Sequence, residues 1–215
     1  MSDGGTQTPT TPVSADKNKV RFGLSKLYIA FISSFDADGV PTYSSPQPIP
    51  GAVSLSADSE STETIFWADN TKYYITHAST GGAIECEVAK FSDEILAEML
   101  GDIVDAVGGL IEVNGGIQKQ FALMGQLEGD ISARRFCYFC CTGSKPNVEA
   151  HTTEDSITPS TETMTISTQP VPLSKDGKLM LKYSLAYDES ITGNKAAYEG
   201  FFNAVYKPTV PSEGA

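Results

Sequence analysis

The sequence is poor in the residues that most often carry chemistry. It holds two histidines (His77 and His151), one tryptophan and four cysteines in 215 residues. Neither histidine stands in a His-Glu-x-x-His pattern, and no Gly-x-Ser-x-Gly elbow occurs. General acid–base and triad chemistry usually needs a histidine oriented by a carboxylate. Acids are so plentiful here that one near either histidine is expected by chance. Paired carboxylates also serve glycosidases, but a single tryptophan leaves little to stack a sugar on. Gly108-Gly109 and Gly115-Gly116 are followed by no Gly-Lys-Ser/Thr, so they form no phosphate loop and read as a flexible loop. These absences point away from an enzyme and imply no cofactor.

The cysteines, Cys86, Cys137, Cys140 and Cys141, are too few and too clustered for a disulfide framework. Cys137-x-x-Cys140-Cys141 has the spacing a metal or redox site would use. However, Phe136, Tyr138 and Phe139 make the same stretch apolar on both faces, as in a strand buried on both sides. Strand alternation sends Cys137 and Cys141 to one face and Cys140 to the other, which closes no tetrahedral site. They read as core cysteines, with no metal.

Long apolar runs are missing too. No stretch approaches the ~20 residues that span a bilayer, and Met1 is followed by a polar run through Lys19 with no leader-like apolar segment. The expectation is a soluble chain made in a cytoplasm, with no membrane partner.

Positive charge is scarce: 15 Lys and Arg face 27 Asp and Glu, a formal net charge of −12. From Gly51 to Gly115 twelve acids face only Lys72 and Lys90. Nucleic-acid binding rests largely on cations that neutralise phosphates, so this chain is not built to grip DNA. A surface that DNA slides past without sticking is compatible with it, and so is acidity that serves only solubility. Arg134-Arg135 is the only double-basic step. It has two readings, a contact with an acidic neighbouring subunit or a local pairing with Glu128 or Asp130.

What is present is the grammar of short strands and turns. Gly 19 and Pro 12 accompany abundant Ser and Thr. Residues 1–18 have almost nothing to bury and read as a flexible N-terminal arm; residues 207–215 read as a C-terminal tail. Between them, 19–206 reads as one β domain. Lys26–Phe35 is a first apolar strand, and the prolines of 36–51 predict a long loop without a ladder. Ala52–Asp58 alternates as a half-buried strand, 62–77 reads as a hairpin around Ala68-Asp69-Asn70-Thr71, and Gly82–Val88 is a further strand. Ser92 caps a helix that Asp93 and Glu94 favour and Gly101 ends, with Ile95, Leu96, Met99 and Leu100 on one stripe. Gln120–Glu128 and Ile131–Thr142 form a second hairpin. Met164–Ser167 and Lys178–Tyr187 are strands, the latter with Leu179, Leu181, Tyr183, Leu185 and Tyr187 on one face. Asn194–Tyr206 closes as a short amphipathic helix. The fold class is mainly β, a sandwich or barrel with one flanking α-helix and a short C-terminal helix.

Several segments, in order, resemble the major tail protein (tail tube protein) family of siphophages, phages with long non-contractile tails. They are Arg21-Phe22-Gly23-Leu24, Pro48-Ile49-Pro50-Gly51-Ala52-Val53-Ser54-Leu55, Phe66-Trp67-Ala68-Asp69-Asn70 with Tyr73-Tyr74, and Asp93-Glu94-Ile95-Leu96. Gly129-Asp130, Ala133-Arg134-Arg135, Pro146-Asn147-Val148-Glu149, Pro159 and Thr161-Glu162-Thr163 follow. The resemblance implies a virion structural protein of the tail, assembled in the host bacterial cytoplasm. It implies homo-hexameric rings stacked into a tube, tape measure, terminator and distal tail proteins as partners, and double-stranded DNA passing through the lumen during ejection without specific binding. Acids expected at the lumen are Asp58, Glu60, Glu85 and Glu87. Residues expected between subunits or rings are Asp38, Tyr43, Pro46, Pro48, Asp69, Asn70, Arg134 and Arg135. The competing readings are a tube protein of a contractile tail or secretion-type injection apparatus, and a cell-surface or sugar-binding β-sandwich module.

Overall fold

A computed structural model describes residues 23–68, 70–129, 132–148, 160–174 and 178–208. The N-terminal arm, Asp69, Asp130, His151 and the last seven residues lie outside them. The described chain is mainly β, with two helices. In chain order the elements begin with β1 (Leu24–Phe35), β2 (Pro41–Tyr43), β3 (Gln47–Ile49), β4 (Ala52–Ala68), β5 (Thr71–Val88) and α1 (Asp93–Leu100). The middle holds β6 (Ile103–Val104), β7 (Leu110–Ile111), β8 (Phe121–Leu127) and β9 (Arg134–Gly143). The rest is β10 (Asn147–Val148), β11 (Glu162–Thr168), β12 (Val171–Pro172), β13 (Leu179–Met180), β14 (Lys182–Leu185) and α2 (Asn194–Glu199).

Ten strands form one antiparallel sheet in the order β2-β1-β8-β9-β11-β5-β4, with β3 on β1, β14 on β9 and β10 on β11. β3 lies at one edge of this sheet and β4 at the other, yet only Pro50 and Gly51 separate them. A two-residue link between opposite edges forces the sheet to roll up. Ile49 and Ala52 accordingly meet the same core. Gly51 makes the step with φ 79, and a Cβ there would stand 2.8 Å from the Cβ of Ala89, so only glycine fits.

The apolar alternation of the central strands sorts into two cores. Leu27, Ile29 and Phe31 of β1, Phe121 and Leu123 of β8, and Phe136 and Tyr138 of β9 face inward with Ile84, Cys86 and Val88 of β5. α1 closes this core through Ile95, Leu96 and Met99; each such side chain contributes on the order of 1.5–3 kcal/mol by leaving water. The helix ends follow the sequence: Ser92 accepts the Ile95 N–H at 3.3 Å, and Gly101 is left-handed. The intervening residues Ala30, Ile32, Ala122, Met124, Cys137 and Phe139 face the other way, under Val171, Leu173 and Phe201. β1, β8 and β9 are thus buried on both faces.

Four departures from the sequence reading have physical causes. The segment 36–51 carries no long loop: Pro41 sits in β2 and Pro48 in β3, edge strands pairing β1 at Phe35↔Pro41 and Tyr28↔Pro48, where a missing N–H costs nothing on the outer side. The strands at 52–58, 62–67, 72–77 and 82–88 fuse into β4 and β5, paired from Ala52↔Val88 to Ala68↔Thr71. The strand at 178–187 breaks into β13 and β14 because its two parts take different partners, β13 pairing β12 at Val171↔Met180 and β14 pairing β9 at Lys182↔Tyr138. α2 stops at Glu199, before Gly200, and turns carry the chain through Phe201.

Candidate assembly surface

The longest elements, β4 and β5, are only partly used by the sheet. β11 pairs with β5 from Gly82 to Val88 and no further. Beyond that point β4 and β5 pair only with each other, a two-stranded ribbon about 35 Å long at strand rise. Gly81 and Gly82 mark the exit. A Cβ on Gly81 would lie 2.3 Å from the Thr168 carbonyl oxygen, and one on Gly82 would lie 2.2 Å from that of Asp58. Larger residues there would push the ribbon off the sheet.

The ribbon's distal end is apolar and bare. Trp67 is 59% exposed and Tyr73 71% exposed, with Phe66, Tyr74 and Ile75 exposed beside them. Phe66 meets Tyr73 edge to face, and the Lys72 ammonium lies 5.8 Å from the Trp67 ring. Asn70 turns the tip with φ 63, a conformation asparagine tolerates well. An isolated two-stranded ribbon has little stability of its own, and clustered exposed aromatics mark an interaction site.

The stretch of β4 and β5 inside the sheet, up to the ribbon's root, presents the acids. Opposite residues in an antiparallel pair point to one face, and the pairs here are Ser54↔Glu87, Ser56↔Glu85, Asp58↔Ala83 and Glu60↔Gly81. The four predicted lumen acids, Asp58, Glu60, Glu85 and Glu87, therefore share one face. β11 extends it with Thr163 opposite Glu87 and Thr165 opposite Glu85. β4, β5 and β11 contain one cation, Lys72, and it lies at the far end. Glu87 accepts hydrogen bonds from Ser54 Oγ at 2.9 Å and Thr161 Oγ1 at 2.7 Å. The Thr161 bond first, then the Ser54 bond, hold its carboxyl below the usual range.

The predicted contact residues divide. Asp38 and Pro48 are exposed at the β1–β2 turn and on β3, and Pro46 is half-buried between β2 and β3. Asn70 is exposed at the ribbon tip. Tyr43 and Arg135 make polar contacts within the described chain. Tyr43 donates its hydroxyl to the Phe139 carbonyl at 2.9 Å, and burial, then the neighbouring thiols, holds its phenol protonated. Arg135 is 8% exposed. Its Nε donates to Gln126 at 3.0 Å, its Nη1 donates to the Tyr198 carbonyl, and its guanidinium stacks 3.8 Å over the Tyr198 ring. Gln126 in turn donates to Glu128 at 2.7 Å. Arg135 thus fastens α2 to the sheet. Arg134 is half-buried at the start of β9.

The cysteines are core, but their facing differs from simple alternation. Phe121 pairs with Cys141 and Leu123 with Tyr138, so three steps on β9 answer two on β8. This β-bulge turns Phe139 and Cys140 to the same side. Cys137 and Cys140 consequently share the outer core, while Cys141 joins the inner one. The bulge also lets β9 change partners, from β14 at Arg135–Tyr138 to β11 at Cys141–Gly143. Tyr43 Oη and the Gln169 N–H satisfy the two bulge carbonyls, at 2.9 and 3.0 Å. Burial raises the thiol of Cys86 to about 11 and pushes those of Cys137 and Cys141 up as well. Among the described residues no cluster of metal-ligating side chains occurs.

No family model and no curated protein matches this chain. Solved structures that overlap it include three from contractile particles. The tube-terminating cap of the anti-feeding prophage is 7% identical, with a TM-score of 0.45 over 86% of this chain and 97% of that one. The sheath–tube complex of an extracellular contractile injection system, PVC, in its extended state gives 9%, 0.43, and 76% and 90%. The anti-feeding prophage baseplate gives 13%, 0.34, and 83% and 98%. Likeness at this level fixes neither a family nor an activity.

Proposed function

We propose that this chain is a non-enzymatic structural subunit of a phage-tail-type tube, built from rings of identical copies. The observation that carries the reading is the β4–β5 ribbon. It leaves its own sheet at Gly81-Gly82, carries aromatics into solvent at Trp67 and Tyr73, and buries none of them. A monomer gains nothing from such an element; a copy that docks it on a neighbour gains the burial of several aromatic rings. β4 is also an unpaired sheet edge, a liability unless neighbours cover it.

In this reading six copies form a ring, rings stack, and the face bearing Asp58, Glu60, Glu85 and Glu87 lines the lumen. Six copies of a surface without cations repel DNA phosphates and let the strand pass. The tape measure, terminator and distal tail proteins are the tube's partners, and the virion tail is its place. The sequence resemblance favours a non-contractile tail. A contractile tail or injection tube stands beside it, because ribbon and acidic face serve a tube with or without a sheath. Sedimentation velocity of the purified full chain tests the reading. The native protein forms rings or longer particles, and Trp67→Ser with Tyr73→Ser remains a folded monomer. A native chain that stays monomeric at high concentration contradicts it.

A further inference from the structure

Residues 101–117, which follow α1, form an extension tied by its own backbone. β6 and β7 pair at Ile103↔Ile111 and Val104↔Leu110. Asp105 Oδ1 accepts the N–H groups of Val107 at 3.0 Å and Gly109 at 2.6 Å, and Asp102 Oδ1 accepts that of Val113 at 2.9 Å. The flexible loop expected from the paired glycines is instead compact. Its last turn holds Asn114-Gly115, the only Asn-Gly step in the chain, and both residues are exposed. The Gly116 N–H donates to the Val113 carbonyl at 3.3 Å, so Asn114 and Gly115 are the two central residues of a four-residue turn. The Gly115 nitrogen stands outside that bond. Gly115 has φ 79, which suits glycine, and a Cβ built on it would meet nothing within 4 Å. No side chain therefore covers the peptide nitrogen that follows Asn114.

We infer that Asn114 is a site of self-modification, converted by the neighbouring backbone to aspartate and isoaspartate. Asparagine is among the thermolabile side chains, and the reaction needs only water. The Gly115 nitrogen attacks Asn114 Cγ and bonds to it, while the Cγ–Nδ2 bond breaks. The amide proton of Gly115 leaves with Nδ2 as ammonia, and a cyclic imide remains. Water then opens the imide at one of its two carbonyls. Opening at Cγ gives aspartate; opening at the main-chain carbonyl gives isoaspartate, in which the chain runs through the former side chain. Either product adds a negative charge to a loop that already holds Asp102, Asp105 and Glu112, the last paired with Lys145. Isoaspartate also lengthens the backbone by one carbon beside Gly116. That glycine is closely packed, since a Cβ on it would lie 2.6 Å from the Gly101 carbonyl oxygen.

The other asparagines of the described residues set the contrast. Asn70, Asn147, Asn194 and Asn203 precede Thr71, Val148, Lys195 and Ala204, each with a Cβ that crowds the attacking nitrogen. Asn194 is buried as well. Its carboxamide accepts the Asp188 N–H at 2.8 Å and donates to the Ala186 carbonyl at 3.1 Å, which fixes it away from its own backbone. Among the described residues no hydrogen bond holds the carboxamide of Asn114 in this way.

Trypsin isolates the site, because Phe91 to Lys119 lies between consecutive cleavage points and contains no other asparagine. The full-length native protein is incubated at low concentration in mildly alkaline buffer, beside a urea-unfolded sample. Over time the peptide is read by mass spectrometry and by its methylation with protein isoaspartyl methyltransferase. Native Asn114 is expected to convert ahead of every other asparagine, with isoaspartate the larger product. Conversion should quicken as pH rises, because the attacking species is the deprotonated amide nitrogen. Asn114→Gln, whose longer side chain closes a larger and slower ring, should lose the methylation signal from this peptide. Native protein that keeps Asn114 intact while the unfolded sample converts it overturns the inference, since the fold then shields the turn. Earlier conversion at another asparagine, or no conversion in either sample, overturns it too. Each of these outcomes leaves the tube reading untouched.

Discussion

At the scale of single residues, the polar atoms that matter most are those serving a backbone irregularity. Tyr43, expected from the resemblance between subunits or rings, also has a task inside the chain that nothing local marks. That task is to satisfy a carbonyl at a bulge 96 residues away, which no periodicity in either segment announces. Tyr43→Phe leaves the Phe139 carbonyl unpaired and should lower unfolding free energy by about 1–3 kcal/mol, measured by urea denaturation. A neutral result would mean that water replaces the phenol. The cysteines were legible as core from their aromatic neighbours, but their facing was not, because one inserted residue at Phe139–Cys140 inverts the alternation beyond it. With thiols buried and held protonated, native protein should react with a thiol reagent only at its unfolding rate. Prompt labelling of one cysteine would show that the core opens locally.

Glu87 and Glu128 give the residue scale a pH dependence. Hydrogen bonds from Thr161 and Ser54 hold the first below the usual carboxyl range, and those from Ser25 and Gln126 hold the second there. A depressed folded pKa means the unfolded chain takes up protons first. Their contribution is therefore present above the ordinary value of 4.5 and is lost as pH falls through the lower folded values. Thermal midpoints should drop on acidification below that value, and more shallowly in Glu87→Gln with Glu128→Gln. An unchanged slope would assign the acid sensitivity to other groups.

At the scale of elements, the strands with clean alternation and the capped helix were readable, and the joins between them were not. α1 begins at Asp93 behind its Ser92 cap, as Ser92, Asp93, Glu94 and Gly101 require. β4 and β5 could not be seen as single long strands, because the run rich in Ser, Thr, Glu and Gly between 59 and 81 has no core to alternate against. It is held by pairing alone, outside the sheet. The glycines at its exit are the feature to test. Gly82→Ala places a methyl 2.2 Å from a carbonyl oxygen and should cost about 1–3 kcal/mol as backbone shifts to admit it. Hydrogen exchange should show faster opening of residues 71–88 in that variant, with β8 and β9 unaffected. Arg135 is the matching test on the other side. Arg135→Ala removes the guanidinium from Gln126 and Tyr198 and should speed exchange in α2, at a stability cost of roughly 2–4 kcal/mol.

At the scale of the whole molecule, the sheet rolls because Pro50-Gly51 joins its two edges, and the rolled body leaves three things unused. These are an aromatic ribbon tip, exposed aliphatic residues between Ile103 and Ile117, and an acidic face without cations. The sequence carried the acidity plainly, and strand pairing adds that Asp58, Glu60, Glu85 and Glu87 point the same way. Under the tube reading, Glu85→Lys should leave assembly intact and slow DNA release from particles, because Glu85 is exposed and makes no internal ion pair with the lysines described. Unchanged ejection kinetics would remove Glu85 from the lumen. Electron microscopy of the purified protein at assembling concentration tests the tube subunit itself. Six-fold rings and stacked tubes are expected, and a uniform field of monomers with no ring at any concentration would rule that role out.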